Sequence, residues 1–506
     1  MPISPDYDHF AATYEKGQAQ IVSTRLVADL ETPVSAMLKL TRNAKYSFLL
    51  ESVEGGAVRG RYSIIGMNPD MIWKVEDGKA SVNRKALHNT EGPFESVRLA
   101  PLESLRALLA ESRIPLSPDA PPMAAGVFGY IGYDMVRLME DLPEPNPDTL
   151  GLPDGMMIRP TAMAIFDSVR DEVTVTSPVY VEKGVAPKAA YARAQERISE
   201  VVDALDRPLD HLATQDVDAP PILAAASNTT PDEYAGMIAR AKDYITAGDI
   251  FQVVLSQRFE ANFTLPPFAL YRSLRRINPS PFLYYLDFDQ FAVIGSSPEI
   301  LVRVRDGKVS IRPIAGTRRR GETPSEDRAL AIELLADPKE RAEHLMLLDL
   351  GRNDVGRVAE IGSIKVTDKF VIENYSHVMH IVSNVEGTLS KKYDVIDALV
   401  AGFPAGTVSG APKVRAMEII DELEIHKRGV YGGCVGYFSA DGEMDTCIVL
   451  RTAIVKDGKM YVQAGAGIVA DSVPESEHQE CVNKAKALFR AADEAVRFAG
   501  RAGRAQ

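Results

Sequence analysis

Apolar and polar positions alternate from Leu38 onward, and Gly or Asn-Pro breaks the alternation. Residues 46–53, 61–66 and 71–75 read as strands of an antiparallel meander. Residues 126–133 and 162–167 add two more strands. Residues 1–20 are polar and predict one helix, and 191–205 predict another. A tract rich in Pro, Ala and Asp, 206–228, reads as a linker between residues 1–205 and 229–495. Thr230-Pro231-Asp232-Glu233 is a capping box with Pro at the first position, and its helix ends near Ala247 at Gly248. Strands are predicted at 251–256, 282–286, 291–294 and 309–311, and helices at 395–399 and 412–423. A hairpin pairs 437–438 with 446–451 across Asp441-Gly442. Strands and helices mix without steady alternation, so the class is α+β: two lobes of antiparallel sheet with flanking helices.

Two stretches carry carboxylates at helical spacing. Gly465-Ala466-Gly467 reads as a strand end and glycine turn, followed by a helix that Ser472 and Glu475 would cap as a box with Pro474 in the first turn. On that helix Glu477, Glu480 and Lys484 share a face with Cys481, Ala487, Leu488 and Ala491, so both carboxylates point toward the core. Asp337-Pro338-Lys339-Glu340 starts a second helix. There Glu340 and Glu343 lie one turn apart beside His344, and the run 345–350 is apolar almost all round, which predicts burial. Buried carboxylates need a cation, a proton or a lysine. Two inward pairs can clamp Mg2+, which takes few carboxylates plus substrate oxygens; solvated acidic faces are the bland alternative.

Composition changes this picture little. The chain has 506 residues, enough for a large core, and 25% of them are charged. A net charge of -13 argues against a nucleic-acid or anionic-membrane surface. The three cysteines, Cys434, Cys447 and Cys481, show no metal or disulfide spacing, which suits a reduced, cytoplasmic protein. The N-terminus lacks the basic and apolar regions of a signal peptide, and no apolar run is long enough to span a bilayer.

Single residues add candidate chemistry. Gly465-Ala466-Gly467 in a tight turn would present backbone N–H groups as an anion nest. Arg451, at the end of a strand, can fork a carboxylate. His380 faces inward on a strand and is a natural acid or base near neutral pH. Residues 403–413 form a Gly/Ser/Thr loop into a helix, without Walker spacing. Residue chemistry alone thus describes an α+β enzyme with a Mg2+ site for a small carboxylated ligand, or a metal- and ligand-binding regulatory protein without catalysis.

The motifs together resemble the chorismate-utilising enzymes, most closely the anthranilate synthase component I family. The matching blocks are Gly248-Asp249-Ile250-Phe251-Gln252, Ser297-Pro298-Glu299, Pro313-Ile314-Ala315-Gly316-Thr317-Arg318, Ala342-Glu343-His344 and Arg352-Asn353-Asp354. Val378-Met379-His380, Pro404-Ala405-Gly406-Thr407, Tyr431-Gly432-Gly433 and Gly465-Ala466-Gly467 through Lys484 complete them. The resemblance implies an N-terminal regulatory domain and a C-terminal chorismate-binding domain. It implies that Glu343 and Glu480 hold Mg2+, with Glu340 and Glu477 nearby, and that Gly316, Thr317, Tyr431, Arg451, Gly465, Ala466, Gly467 and Lys484 cradle chorismate. His380, oriented by Glu299, would be the base, Glu340 the acid for the departing hydroxyl, and Thr407 a positioning residue. Sister enzymes carry lysines at the places of Ala315 and Gln252, and their absence favours direct attack by ammonia, with aminodeoxychorismate synthase as the alternative. No cysteine has a glutaminase setting. The resemblance therefore implies a separate glutamine amidotransferase subunit, in a heterotetramer of two large and two small chains. It also implies feedback by L-tryptophan bound among Glu51, Ser52, Pro281, Phe282, Leu283, Val435 and Tyr437, segments that could equally be plain core.

Overall fold

The computed structural model describes residues 2–42, 44–54, 58–117, 119–209, 225–375 and 378–499, with the backbone alone at 53, 54, 58 and 59. Most of the expected linker, 210–224, lies outside the described residues. The strands join in one continuous hydrogen-bonded network.

Two pairings tie the early and late parts of the chain together. Ser47–Glu54 lies between Val58–Glu76 and Phe282–Asp287, with Leu50 opposite both Ile64 and Tyr284. Gly126–Ile131 pairs with Cys434–Ser439, with Tyr130 opposite Val435. Strands so flanked are buried on both faces, and Phe48, Leu49, Phe128 and Tyr130 are almost fully inaccessible.

The expected meander is corrected at one point. Asn68-Pro69 is no turn: Val58–Glu76 is a single strand of 19 residues. Its register against Gly155–Asp167 shifts between Pro69 and Met71, and Asn68 has φ 53°. Proline lacks the ladder N–H, so the strand bulges there and resumes.

Local capping signals hold where the side chain can reach. Thr230 Oγ1 accepts the Glu233 N–H at 3.2 Å, and the Glu233 carboxylate accepts the Thr230 N–H at 2.8 Å. Gly248 closes that helix, Pro231–Ala247, in the left-handed conformation. Asp337 caps Pro338–Gly356 by accepting the Lys339 N–H at 2.9 Å. That helix is not buried all round: His344, Leu347, Leu348 and Gly351 face inward, while Leu345 and Asp349 stay exposed.

The last helix, Pro474–Ala499, begins without the expected box. Ser472 Oγ instead accepts the Val469 N–H at 3.0 Å, tightening the turn before it. Its buried stripe is Cys481, Ala485, Leu488, Ala492 and Ala495 with Ala491, while Ala487 is only partly buried. Together with Pro231–Ala247 and Pro267–Ile277, this stripe packs on the paired strands Gln252–Asn262 and Lys459–Ile468. All three cysteines are buried and free. Among the described residues no helix is long and apolar enough to cross a membrane.

Candidate active site and effector cavity

His380 lies on the strand Val378–Thr388. Its neighbour, Ile314–Arg319, bulges between Ala315 and Thr317, and Gly316 takes φ 68° there. The bulge brings the Gly316 carbonyl to 3.0 Å from His380 Nδ1, with Thr317 Oγ1 at 3.2 Å. A carbonyl only accepts, so Nδ1 carries the hydrogen and Nε2 keeps a lone pair. Burial, then the charge of Arg451, pulls the imidazole down to about 4, so it is neutral at neutral pH. Glycine is required at 316 for its φ, and a Cβ there would also stand 3.1 Å from Glu340 Oε2.

Glu299 sits between Phe291–Ser297 and Ile300–Arg305 and is 6% exposed. The Thr407 hydroxyl lies 3.2 Å from each of its carboxylate oxygens, and the Ile314 N–H also donates to it. No hydrogen bond joins Glu299 to His380, which corrects the implied pairing: the Gly316 carbonyl orients the imidazole and Thr407 holds the carboxylate. Burial pushes Glu299 up to about 8.

Arg451 does not end a strand. It stands past Met444–Ile448 in a bend with φ 48°. Its guanidinium makes no hydrogen bond or ion pair among the described residues, although burial disfavours its charge and Glu299 lies within electrostatic reach. A cation left this way is poised for an incoming anion.

Gly465, Ala466 and Gly467 are corrected from a turn to a strand. They belong to Lys459–Ile468 and pair regularly with Ser256, Leu255 and Val254. The glycines serve close approach rather than an anion nest. A methyl group at 465 would lie 2.9 Å from the Tyr431 hydroxyl, and one at 467 would lie 2.3 Å from Gln252 Nε2. Pairing with Thr452–Lys456 stops at Val462, so the strand edge beyond it is open. Lys484 Nζ takes the Gly465 carbonyl there at 2.9 Å. Buried Tyr431 has its hydroxyl pushed well above the ordinary range by desolvation. Gln252 Oε1 is buried and has no partner. In the 403–413 loop, Lys413 is committed to Asp354 at 2.8 Å and so does not serve a ligand.

The carboxylates gather within electrostatic reach of one another near the surface, not in the core. Glu340 bonds Arg318 at 3.0 Å. Glu480 bonds Lys484 at 2.6 Å, and both side chains are more than 40% exposed. Glu477 is half-buried and bonded to Ser472. Half-buried Glu343 makes no hydrogen bond or ion pair among the described residues. Burial, then the charges of Glu340 and Glu480, raise it above its ordinary value. No group of three or more acidic, His or Cys side chains is arranged for a metal among the described residues. A free carboxylate facing two others nevertheless fits a hard cation whose remaining ligands are water and substrate oxygens, as Mg2+ prefers.

A cavity of about 880 Å³ adjoining this site is lined by Glu51, Ser52, Pro281, Phe282, Leu283, Val435 and Tyr437. All three segments singled out in the sequence thus meet at one space. Strand pairing sets Ser52 opposite Phe282 and Glu51 opposite Leu283. The carboxylate of Glu51 is already engaged, by Tyr271 at 2.5 Å and by Arg275 at 2.5 and 2.9 Å, so Glu51 anchors a wall. Sequence reasoning missed the far end of the cavity. Pro298, Ile300 and Ile314 flank the Glu299 site there, and the Tyr375 ring stands edge-on to His380 at 5.2 Å. Tyr375 is only five positions before His380, but it follows the strand Lys365–Asn374 while His380 lies on the next strand, so no single periodicity pairs them.

Fold and site together define a class. Residues 45–490 match the model of the chorismate binding enzyme family, and the chain belongs to that family. It is 58% identical to anthranilate synthase component 1 of Cereibacter sphaeroides over 98% of this chain and 99% of that protein. It is 48% identical to the Pseudomonas aeruginosa protein of that name, over 93% of this chain and 94% of that one. Among solved structures, anthranilate synthase component I from Streptococcus pneumoniae superposes with a TM-score of 0.75 at 40% identity, covering 85% of this chain and 92% of that one. The menaquinone-specific isochorismate synthase MenF from Escherichia coli shares the fold, with a TM-score of 0.70 at 18% identity over 95% and 99% of the two chains.

Proposed function

We propose that this chain is the large subunit of an anthranilate synthase, converting chorismate and ammonia to anthranilate and pyruvate by way of aminodeoxyisochorismate. The observation that carries the reading is what stands at two positions. Buried Ala315 and Gln252 occupy the places of the sister enzymes' lysines, so neither position carries the amine that would attack the ring or activate water. Ammonia then adds at C2 of the ring as the C4 hydroxyl leaves, with Glu340 as the acid for that hydroxyl. His380 Nε2 removes the C2 proton, the enolpyruvyl group leaves as pyruvate, and the ring becomes aromatic. Aromatisation drives this step, so the residues chiefly place a proton acceptor.

Arg451 takes the enolpyruvyl carboxylate, and Gly316, Thr317, Tyr431, Lys484 and the Gly465–Gly467 edge shape the rest of the cradle. Glu343 and Glu480, with Glu340 and Glu477 beside them, would hold Mg2+, which when bound supplies positive charge for the ring carboxylate. In this reading residues 1–205 carry regulation and 229–495 catalysis. A glutamine amidotransferase partner supplies ammonia in a heterotetramer located in the cytoplasm. L-tryptophan occupies the effector cavity and antagonises chorismate reciprocally. A product assay tests the proposal. Anthranilate with equimolar pyruvate is expected; aminodeoxychorismate without pyruvate would move the chain to the sister activity.

A further inference from the structure

The helix Pro338–Gly356 packs on the His380 strand, and its buried residues are apolar apart from His344 and Asp354, the latter paired with Lys413. On the strand, Val385 reaches Gly351 and Gly387 lies against Val355, while Met379 and Ile381 further along the same face pack with Leu334 of the preceding helix, Pro324–Ala336. Ser383 stands in the middle of this row and is fully buried. Opposite it, fully buried His344 brings Nε2 to 2.6 Å from Ser383 Oγ. Ser383 Oγ also accepts the Phe370 N–H at 3.0 Å. Its own hydrogen therefore goes to His344 Nε2, the arrangement that leaves fewest groups unsatisfied. His344 Nδ1 is then a buried donor, and it has no partner. Phe370 adopts φ 55° and packs edge-on to the His344 ring at 4.7 Å.

A buried polar pair with one orphaned atom is a poor way to stabilise an interface, and an aliphatic pair would do better. A lone polar pair does what an apolar row cannot: it distinguishes one register from its neighbours. A helix sliding along the apolar strand face around Val385 and Gly387 meets similar surfaces at each step, but only one position brings His344 to Ser383. The residue before His344 is Glu343, the half-buried free carboxylate, and three residues before Ser383 is His380.

We propose that His344 and Ser383 form a register lock that sets the Glu343 carboxylate against the His380 strand. Both are positioning residues, and the proposal rests on Glu343 holding the divalent ion. The test titrates Mn2+ into the full chain by electron paramagnetic resonance, with and without chorismate, and records melting temperatures alongside. His344→Leu, which keeps volume and apolarity, and Ser383→Ala should each weaken Mn2+ binding by about 10-fold or more, the scale seen when support for a metal ligand is lost. Their melting temperatures should stay at or above the wild-type value. His344→Gln, whose amide can still reach Ser383, should restore affinity. Wild-type Mn2+ affinity in His344→Leu, or an equal loss in His344→Gln, overturns the lock. Glu343→Gln separates the two ideas: if that variant binds Mn2+ as the wild type does, the metal reading falls first and the lock's consequence with it.

Discussion

Glu299 offers a quantitative test, because its burial makes a signed claim about pH. Its carboxyl stands near 8 against an ordinary 4.5. At about 1.36 kcal/mol per pKa unit, ionising it in place costs about 5 kcal/mol. The folded form holds its proton more tightly than the unfolded chain does. The contribution is therefore fully present below pH 4.5 and is lost as pH rises through 8. At pH 7 the loss already amounts to about 3 kcal/mol. Glu299→Gln removes the titration while its amide oxygen still accepts the Thr407 hydroxyl. Unfolding entropy of about 2.1 cal/mol/K per residue makes 3 kcal/mol worth about 3 °C in a chain of this length. Scanning calorimetry should find variant and wild type melting together near pH 4.5, with the variant about 3 °C higher at pH 7 and further ahead at pH 8. A difference that is flat with pH, or that grows toward acid, would refute the reasoning, since it would mean the folded carboxylate is ionised.

Glu343→Gln and Glu480→Gln should each abolish Mg2+-dependent turnover with an unchanged circular dichroism spectrum; metal-independent wild-type rates in both would sink the assignment. His380→Ala should accumulate aminodeoxyisochorismate, detected by chromatography, because ammonia addition survives while pyruvate release stops; failure to form the intermediate would make His380 structural. Ser52→Phe, which thrusts a ring into the cavity, should largely remove inhibition by L-tryptophan at a near-normal basal rate. A wild type indifferent to millimolar-range tryptophan would leave the cavity without that ligand. The isolated chain should turn over ammonium salts at raised pH but not glutamine, and glutamine-dependent pyruvate formation by the pure chain would contradict the partner.

What a few neighbouring residues decide was legible in the sequence. Thr230 and Glu233 cap their helix as read, Asp337 caps the other, and the fold class follows from mixed runs of strands and helices. The motif blocks named residues that the fold brings into contact, Thr317 with His380, Thr407 with Glu299 and Lys484 with Gly465, since a residue type at a fixed spacing survives the loss of all spatial information. Gln252 and Ala315 could be weighed by what they are not.

Tertiary structure decided whatever depends on residues far apart meeting. Gly465 and Gly467 look like a turn from composition, yet pairing with Ser256 and Val254 makes them a strand, and the closeness of Tyr431 and Gln252 leaves room there only for glycine. Glu51 looks like a ligand contact until Arg275 and Tyr271, more than 200 positions away, take its oxygens. Helical periodicity placed Glu477 and Glu480 on an inward face, but Glu477 is only half-buried and Glu480 is exposed, beside a strand whose pairing with Thr452–Lys456 stops at Val462. The protonation state of His380 was also open. A carbonyl 64 residues earlier in the chain, presented by a bulge that only pairing creates, puts the hydrogen on Nδ1 and leaves Nε2 free. Propensity and spacing act over a few residues, whereas burial, hydrogen-bond partners and charge environment are set by surfaces that exist only once the sheet has closed.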